Sequence, residues 1–451
     1  MRGGVQVHVP ATLRAAEPFR LLFAGQALSV IGDRITPVAI AFAVLAIGDV
    51  TDLGIVLAAG GVPFALFAIA GGVVSDRVGR REVMIASDLI RTVSQGVTAA
   101  LLLSGRAEVW MLVVLSAVYG TSAAVFMPAL IGLIPQTVPP ERLQEANALL
   151  GVTRSVAHVA GPALAGVIIA IGGPGEAIAL DAVTFALSAA CLLALRPHAD
   201  AAGPAEEEED RFTARLRTGW REVRARPWLT WGLAAMAAYH VFVLPAVFAL
   251  GPALAEAELS GASSWAAIVA CFGIGTVTGN LIALRLRPHR PVLVAAIALV
   301  GGCTQAAIIG SGLGTPGIAA LMVLAGIAVS LFFTLWDTSL QEQIPPHAVS
   351  RVSSYDFTVS LGLMPIGMAL AGPIAGEFGL HATLLLMSAA GAAVALTWLA
   401  VPDVRRVRRP APEPPAALED AGLGLEPQSA PAATGGDGRR FERRRSAVEE
   451  T

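Results

Sequence analysis

GGVVSDRVGRR, residues 71–81, is a charged turn set between two long apolar runs. It places Asp76, Arg77, Arg80 and Arg81 within a short stretch and surrounds them with Gly71, Gly72 and Gly79. The rest of the chain explains why charge collects there. Its 451 residues are 55% hydrophobic and 14% charged, against about 25% charged in a typical soluble domain. Apolar runs recur from Phe19 to Val401, most of them near or above the roughly 20 residues that a helix needs to cross a bilayer. The composition is that of an all-α polytopic membrane protein, and residues 71–81 join two of its spans.

Twelve spans fit the hydropathy, at about 20–46, 53–75, 82–104, 109–134, 144–171, 174–195, 228–252, 264–286, 291–312, 315–340, 353–376 and 380–401. With both termini on one side, the opposite loops, near 47–52, 105–108, 172–174, 253–263, 313–314 and 377–379, hold one arginine, Arg106. The near-side loops hold Arg77, Arg80, Arg81, Arg142, Arg196, Arg285, Arg287, Arg290 and Arg351, and six more between Arg211 and Arg226. That bias puts the arginine-rich loops and both termini in the cytoplasm. The polar stretch Met1 to Arg20 leads directly into a full span, unlike a cleaved signal peptide. Cys191, Cys271 and Cys303 fall inside apolar runs, so no disulfide framework or metal cluster is suggested. No cofactor and no nucleic-acid partner is expected; the partners implied are the lipid bilayer, a small-molecule substrate and protons.

The chain divides into a six-helix bundle at 1–195, a linker at 196–227, a second six-helix bundle at 228–402 and a disordered cytoplasmic tail at 403–451. The linker opens as the acidic HADAAGPAEEEED and turns into RFTARLRTGWREVRAR. There Phe212, Leu216, Trp220 and Val223 share one face of a short basic amphipathic helix suited to the anionic inner surface; a solvated linker is the alternative. VPPERLQEAN from Val138 is echoed by IPPHAVSRVS from Ile344, a shift of 206 residues. The same shift lays Gly161 on Gly367 and the run Ala163 to Gly166 on Ala369 to Gly372. Parallel six-helix repeats of this kind build transporters.

Gly72, Asp76, Arg77, Gly79, Arg80 and Arg81 fill every fixed position of the G-x-x-x-D-R-x-G-R-R loop pattern, so the chain resembles the major facilitator superfamily. Gly72 permits close helix approach and Gly79 a tight turn. The resemblance implies that Asp76 faces the N-terminus of span eleven, where the positive helix end favours an anion, and latches the halves on the cytoplasmic side in the outward-open state. The second-half counterpart, NLIALRLRPHR from Asn280, keeps arginines but lacks the acid and the glycine.

A narrower resemblance rests on FRLLFAGQALSVIGD (19–33), ERLQEANALLGVTRSVAHVAGPALAG (141–166), LDAVTFALSA (180–189) and SRVSSYDFTVSLGLMPIG (350–367). These stretches are similar to the bacterial drug:proton antiporter-3 branch, which includes macrolide efflux proteins and enterobactin-type siderophore exporters. It implies residence in a bacterial inner (plasma) membrane as a multi-pass, monomeric protein. Gly161, Pro162 and Gly166 match the antiporter motif of span five, while Ala148, Ala157 and Ala165 stand where glycine is usual. Small residues there let spans five and eight approach. Span four lacks the arginine that other drug-exporting branches use in proton transfer.

Ionisable residues within spans are costly unless paired or hydrated. The first half carries Asp33, Asp88 and Asp181 against Arg34, Arg91 and Arg154; the second carries His240 and Asp337. Asp88 and Arg91 are one turn apart, the spacing of a local ion pair. Asp181, in a span that the resemblance makes peripheral, points to a structural partner such as Arg34. Arg154, near the midplane, serves an anionic substrate group, a nearby carboxylate or a structural pair. Asp33 leads the proton-coupling candidates, which also include Arg34, Arg154, Asp337 and His240. The resemblance puts span one on the central cavity, Pro37 follows one turn later, and a carboxylate withdrawn from water is suited to exchanging a proton; an outer-end hydration or pairing site is the other reading. His240 and His158 read as buried histidines or as relays. Cavity walls are expected from Tyr119, Phe126 and Met127 in span four and from Phe242, Phe332, Phe333 and Trp336 opposite, unless these only pack.

The expected function is proton-driven export of small amphipathic molecules (antibiotics, secondary metabolites or siderophores) by alternating access. An importer or a lipid or lysolipid flippase on the same fold is the alternative. The sequence carries no P-loop, no H-E-x-x-H spacing and no nucleophile motif, so no enzyme is expected.

Overall fold

The computed structural model describes residues 17–196, 220–345 and 362–409, with positions 352, 355, 356 and 360 between them. The side chains of 68–76 and of Pro140 lie outside that description. Among the described residues all regular structure is helical. The first half comprises α1 (Glu17–Ile47), α2 (Val50–Val78), α3 (Arg80–Leu103), α4 (Val109–Leu133), α5 (Leu143–Ile171) and α6 (Pro174–Ala194). The second comprises α7 (Pro227–Glu258), α8 (Gly261–Arg285), α9 (Pro291–Ile309), α10 (Thr315–Gln343), α11 (Met364–Phe378) and α12 (Leu380–Ala400).

Ten of these helices are long and apolar enough to cross a membrane. The other two also stand where spans were expected. α3 is diluted by Arg80, Arg81, Glu82, Asp88 and Arg91, and the described part of α11 is 15 residues long. Large apolar side chains such as Leu66, Val156, Ile171, Leu284 and Leu324 remain exposed on outward faces. Lipid, not water, is the solvent that tolerates such a surface.

Helix ends are set by local chemistry. At the start of α2 the Asp49 carboxylate accepts from the Thr51 and Asp52 amides, and Asp52 reaches back to the Asp49 amide at 3.0 Å. This is a reciprocal capping box. Between α2 and α3 the chain reverses through Gly79 alone, at φ 109°, a conformation that suits glycine. Arg80 then donates to the Gly132 carbonyl at 2.6 Å, and Arg81 to the carbonyls of Leu192 and Leu193 at 2.8 Å each. The loop arginines thereby tie the start of α3 to carbonyls in the last turns of α4 and α6.

The two halves repeat one packing scheme. α1 packs on α5 and α6, α2 on α4, and α3 on α4 and α6; shifted by six helices, α7 packs on α11 and α12, α8 on α10, and α9 on α10 and α12. The halves meet through α5 with α8 and α2 with α11, pairs that exchange under the same shift. Glycine permits equivalent close approaches in each half. A Cβ at Gly120 would collide with the Gly60 carbonyl, and one at Gly275 with that of Val323.

Three expectations need adjustment. The tail is ordered through Arg409: Pro402–Arg406 forms a short helix, Arg409 pairs with Glu342 at 2.7 Å, and Gln343 donates to the Arg408 carbonyl. Residues 410–451 lie outside the described residues. Of the linker helix expected at 211–226, Phe212 and Leu216 also lie outside them. Val223 is fully buried, and Trp220 sits 5.7 Å from the Tyr355 ring, so this end docks on the protein. α7 departs from α-geometry at Tyr239–Val243 and Ala246–Leu250, on either side of Leu244 and Pro245. Both segments are π-helical, a form that recurs at functional sites.

Candidate functional site

A cavity of about 570 Å³ lies between the halves, lined from α1, α5, α7, α8 and α10, with Gln305 of α9. Its volume is in the range of clefts that hold drug-sized molecules. The first half contributes Arg34, Pro37, Arg154, Ser155, His158 and Pro162; the second contributes Phe248, Trp265, Phe272, Asn280, Phe333 and Asp337 among others. The first half's wall therefore carries both arginines, and the facing wall is mixed, with aliphatic side chains and phenylalanines beside Thr276, Asn280, Gln305, Ser330, Thr334 and Asp337.

The cavity is sealed at the arginine-poor end. There a Cβ at Gly372 of α11 would collide with the Thr51 backbone of α2, and one at Gly54 with the Met368 carbonyl. Along the other seam, a Cβ at Gly166 of α5 would collide with Ala266 of α8 and lie 3.2 Å from the Ala262 carbonyl. Gly161 serves a different contact: a Cβ there would collide with the Cβ of Arg34, so it brings α1 against α5. Pro162 lines the cavity beside it.

Next to Arg34 the first half holds a charge cluster, in which Asp88, Arg91 and Asp181 are buried and the Asp33 side chain is 34% exposed. Asp33 is not among the lining residues. Its Oδ1 accepts from the Tyr119 hydroxyl at 2.7 Å and lies 3.8 Å from Arg91 Nη1. Arg91 also holds Asp88 at 2.6 Å, and its guanidinium lies between the rings of Phe126 and Phe185, 4.2 and 4.3 Å from their centroids. Asp181, fully buried, takes hydrogen bonds from Thr36 at 2.6 Å and Gln95 at 2.7 Å, not from Arg34. Thr184, one turn on in α6, donates to its other oxygen at 3.3 Å, and Gly32 admits the carboxylate to the α1 backbone, where a Cβ would collide with it. The cluster thus joins three carboxylates, one arginine, a tyrosine hydroxyl and an amide.

The remaining expected residues are distributed as follows. Of the seven wall positions, Phe333 lines the cavity. Tyr119 and Phe126 belong to the charge cluster, Met127 is exposed without lining this cavity, and Phe242 packs at the edge of the core. Phe332 and Trp336 are fully buried with Trp228 and Trp398, because Gly232 leaves room for the indole of Trp336. His240 sits behind Phe333, ring centroids 6.5 Å apart, with Nδ1 2.9 Å from the Met236 carbonyl. A carbonyl only accepts, so Nδ1 carries the proton. Asp337 lines the cavity on α10. Arg77 is exposed, and Gly72 and Asp76 lie in the last turns of α2, where the Asp76 side chain is outside the description.

Sequence reasoning missed Gln95, Thr36, Ser155, Asn280, Ser330 and Thr334. Gln95 had a signal: Asp88, Arg91 and Gln95, at i, i+3 and i+7, share one helical face. The polar residues of α8 and α10 had none, since hydroxyls and amides are common in packed spans; here Ser330 and Thr334 both donate to Asn280 Oδ1, at 2.7 and 3.2 Å.

Comparison with known proteins agrees with this architecture. The chain is 24% identical to Macrolide efflux protein A of Streptococcus pyogenes over 394 residues, covering 86% of this chain and 97% of that protein. It is 26% identical to the Multidrug efflux pump Tap of Mycolicibacterium fortuitum over 372 residues, covering 79% and 89%. Its fold matches a bacterial homolog of the human lysosomal transporter Spinster in an inward-facing conformation, with a TM-score of 0.68, 16% identity, and coverage of 88% and 98%. It also matches a mutant of the nucleoside transporter NupG, with a TM-score of 0.70, 11% identity, and coverage of 85% and 99%. The sequence profile described as Major Facilitator Superfamily matches residues 22–364. The chain belongs to the Major Facilitator Superfamily: it is a multi-pass membrane transporter of small molecules, not an enzyme.

Proposed function

We propose that this transporter is a proton-driven exporter of small amphipathic molecules, of the drug:proton antiporter-3 branch, in a bacterial inner (plasma) membrane. The observation that carries the reading is the cavity between the halves with the Asp33 cluster adjoining Arg34 of its wall. The two relatives, Macrolide efflux protein A and the Multidrug efflux pump Tap, support the same direction.

By the positive-inside rule the seal at the arginine-poor end closes the outer side, so this conformation accepts cargo from the cytoplasm. Opening outward requires α5 to part from α8 and α2 from α11 at that end, while the opposite ends close. Asp76 is then the latch of the outward-open state. Asp33 takes a proton from the outside in that state and gives it up inside. Arg91 supports this exchange, because Asp88 remains its partner in either protonation state of Asp33. Arg34, next in sequence, lines the cavity and links the proton site to cargo.

Cells expressing the protein should accumulate less of a fluorescent dye or a macrolide than cells without it. A protonophore should abolish the difference. Export that persists after collapse of both the pH gradient and the membrane potential contradicts proton coupling.

A further inference from the structure

We infer that the cavity selects amphipathic molecules carrying an anionic group, which Arg34 and Arg154 bind while an apolar body lies against the phenylalanines of the second half. The inference rests on the reading of this cavity as the cargo site and adds the charge of the cargo.

Three observations carry it. Arg34 and Arg154 line the same cavity from adjacent helices, with His158 one turn beyond Arg154, and the cavity holds a single carboxylate, Asp337, on the opposite half. Among the described residues neither arginine has an ion pair or a hydrogen bond, and Arg34 Nε is buried without a partner. The carboxylates of the first half are already engaged. Asp33 receives Tyr119 and lies near Arg91, Asp88 is held by Arg91, and Asp181 is held by Thr36 and Gln95. Asp33 gives Arg34 a counter-charge through space but no hydrogen bond.

Two guanidinium groups that share a wall repel each other and are costly to withdraw from water unless an anion joins them. A guanidinium presents a planar fork that matches a carboxylate or phosphate. On the second half, Phe248, Phe272 and Phe333 offer an apolar surface to the same cavity. An organic cation would instead meet two like charges before it reached Asp337.

The test uses two probes with one aromatic body, 1-naphthaleneacetate and 1-naphthylmethylammonium. A Ser155→Cys reporter is placed on the cavity wall of the full chain, with Cys191, Cys271 and Cys303 replaced by serine. The readout is protection of Cys at position 155 from N-ethylmaleimide by each probe, in detergent and without any gradient. The anion should protect at a concentration about tenfold lower than the cation, and Arg34→Gln or Arg154→Gln should each weaken its protection about tenfold. Arg34→Lys should recover part of that loss, which separates loss of charge from misfolding. Equal protection by both probes, better protection by the cation, protection by neither, or anion protection indifferent to both glutamine variants overturns the inference. Because no transport is measured, a cation preference leaves export untouched, and anion binding by a protein that moves nothing defeats export alone.

Discussion

Asp181 is charged chemistry held by neutral donors. Thr36 and Gln95 both meet its Oδ2, and Gln95 also contacts Thr36 at 3.0 Å. Gln95→Leu removes a donor from a fully buried carboxyl group, which should destabilise the protein by about 1–3 kcal/mol. Thermal unfolding in detergent should show a lowered midpoint, and an unchanged midpoint contradicts the assigned bond. The site was partly legible at this scale. The Asp88–Arg91 spacing fixes a pair within one helix, because residues three apart share a face. The partner of Asp181 was not legible, since it depends on how α1, α3 and α6 are rotated against one another. The same rotation turns Asp33 toward Tyr119 and leaves Arg34 on the cavity.

At the scale of helices, the seam between α5 and α8 depends on Gly166, which has no room for a side chain beside Ala262 and Ala266. Gly166→Leu should block closure at the arginine-poor end and reduce transport at least about tenfold, since overpacking a tight contact costs a few kcal/mol. A cysteine at Ala262 should then become accessible from that side; unchanged transport and accessibility contradict the seam. Hydropathy and arginine bias made the helices legible in order, with ends within a few residues of those expected for most spans. α3 shows why charge also mattered: two of its ionisable residues, Asp88 and Arg91, are buried inside its own bundle. The π-helical turns of α7 leave no comparable trace, because they arise where α7 packs on α11, with Gly367 against Val241 and Pro245.

The whole molecule is two copies of one helix arrangement joined along two equivalent seams, with chemistry unequally divided between them. The 206-residue echo in the sequence anticipated the repeat, and the excess of ionisable residues in the first half anticipated the charge cluster. The cavity walls were less legible: buried aromatic packing and cavity lining use the same residue types, and Trp336 and Phe333 took opposite roles.

The central claim is that Asp33 couples this cavity to the proton gradient, and Asp33→Asn tests it most directly. The substitution keeps an acceptor for Tyr119, and Arg91 retains Asp88 at 2.6 Å, so no buried charge is left unpaired. In proteoliposomes with an imposed pH gradient, the unmodified protein should accumulate substrate on the acidic side. The Asn variant should fold, bind and exchange substrate down its gradient without concentrating it. A folded variant that still concentrates substrate against its gradient contradicts the account.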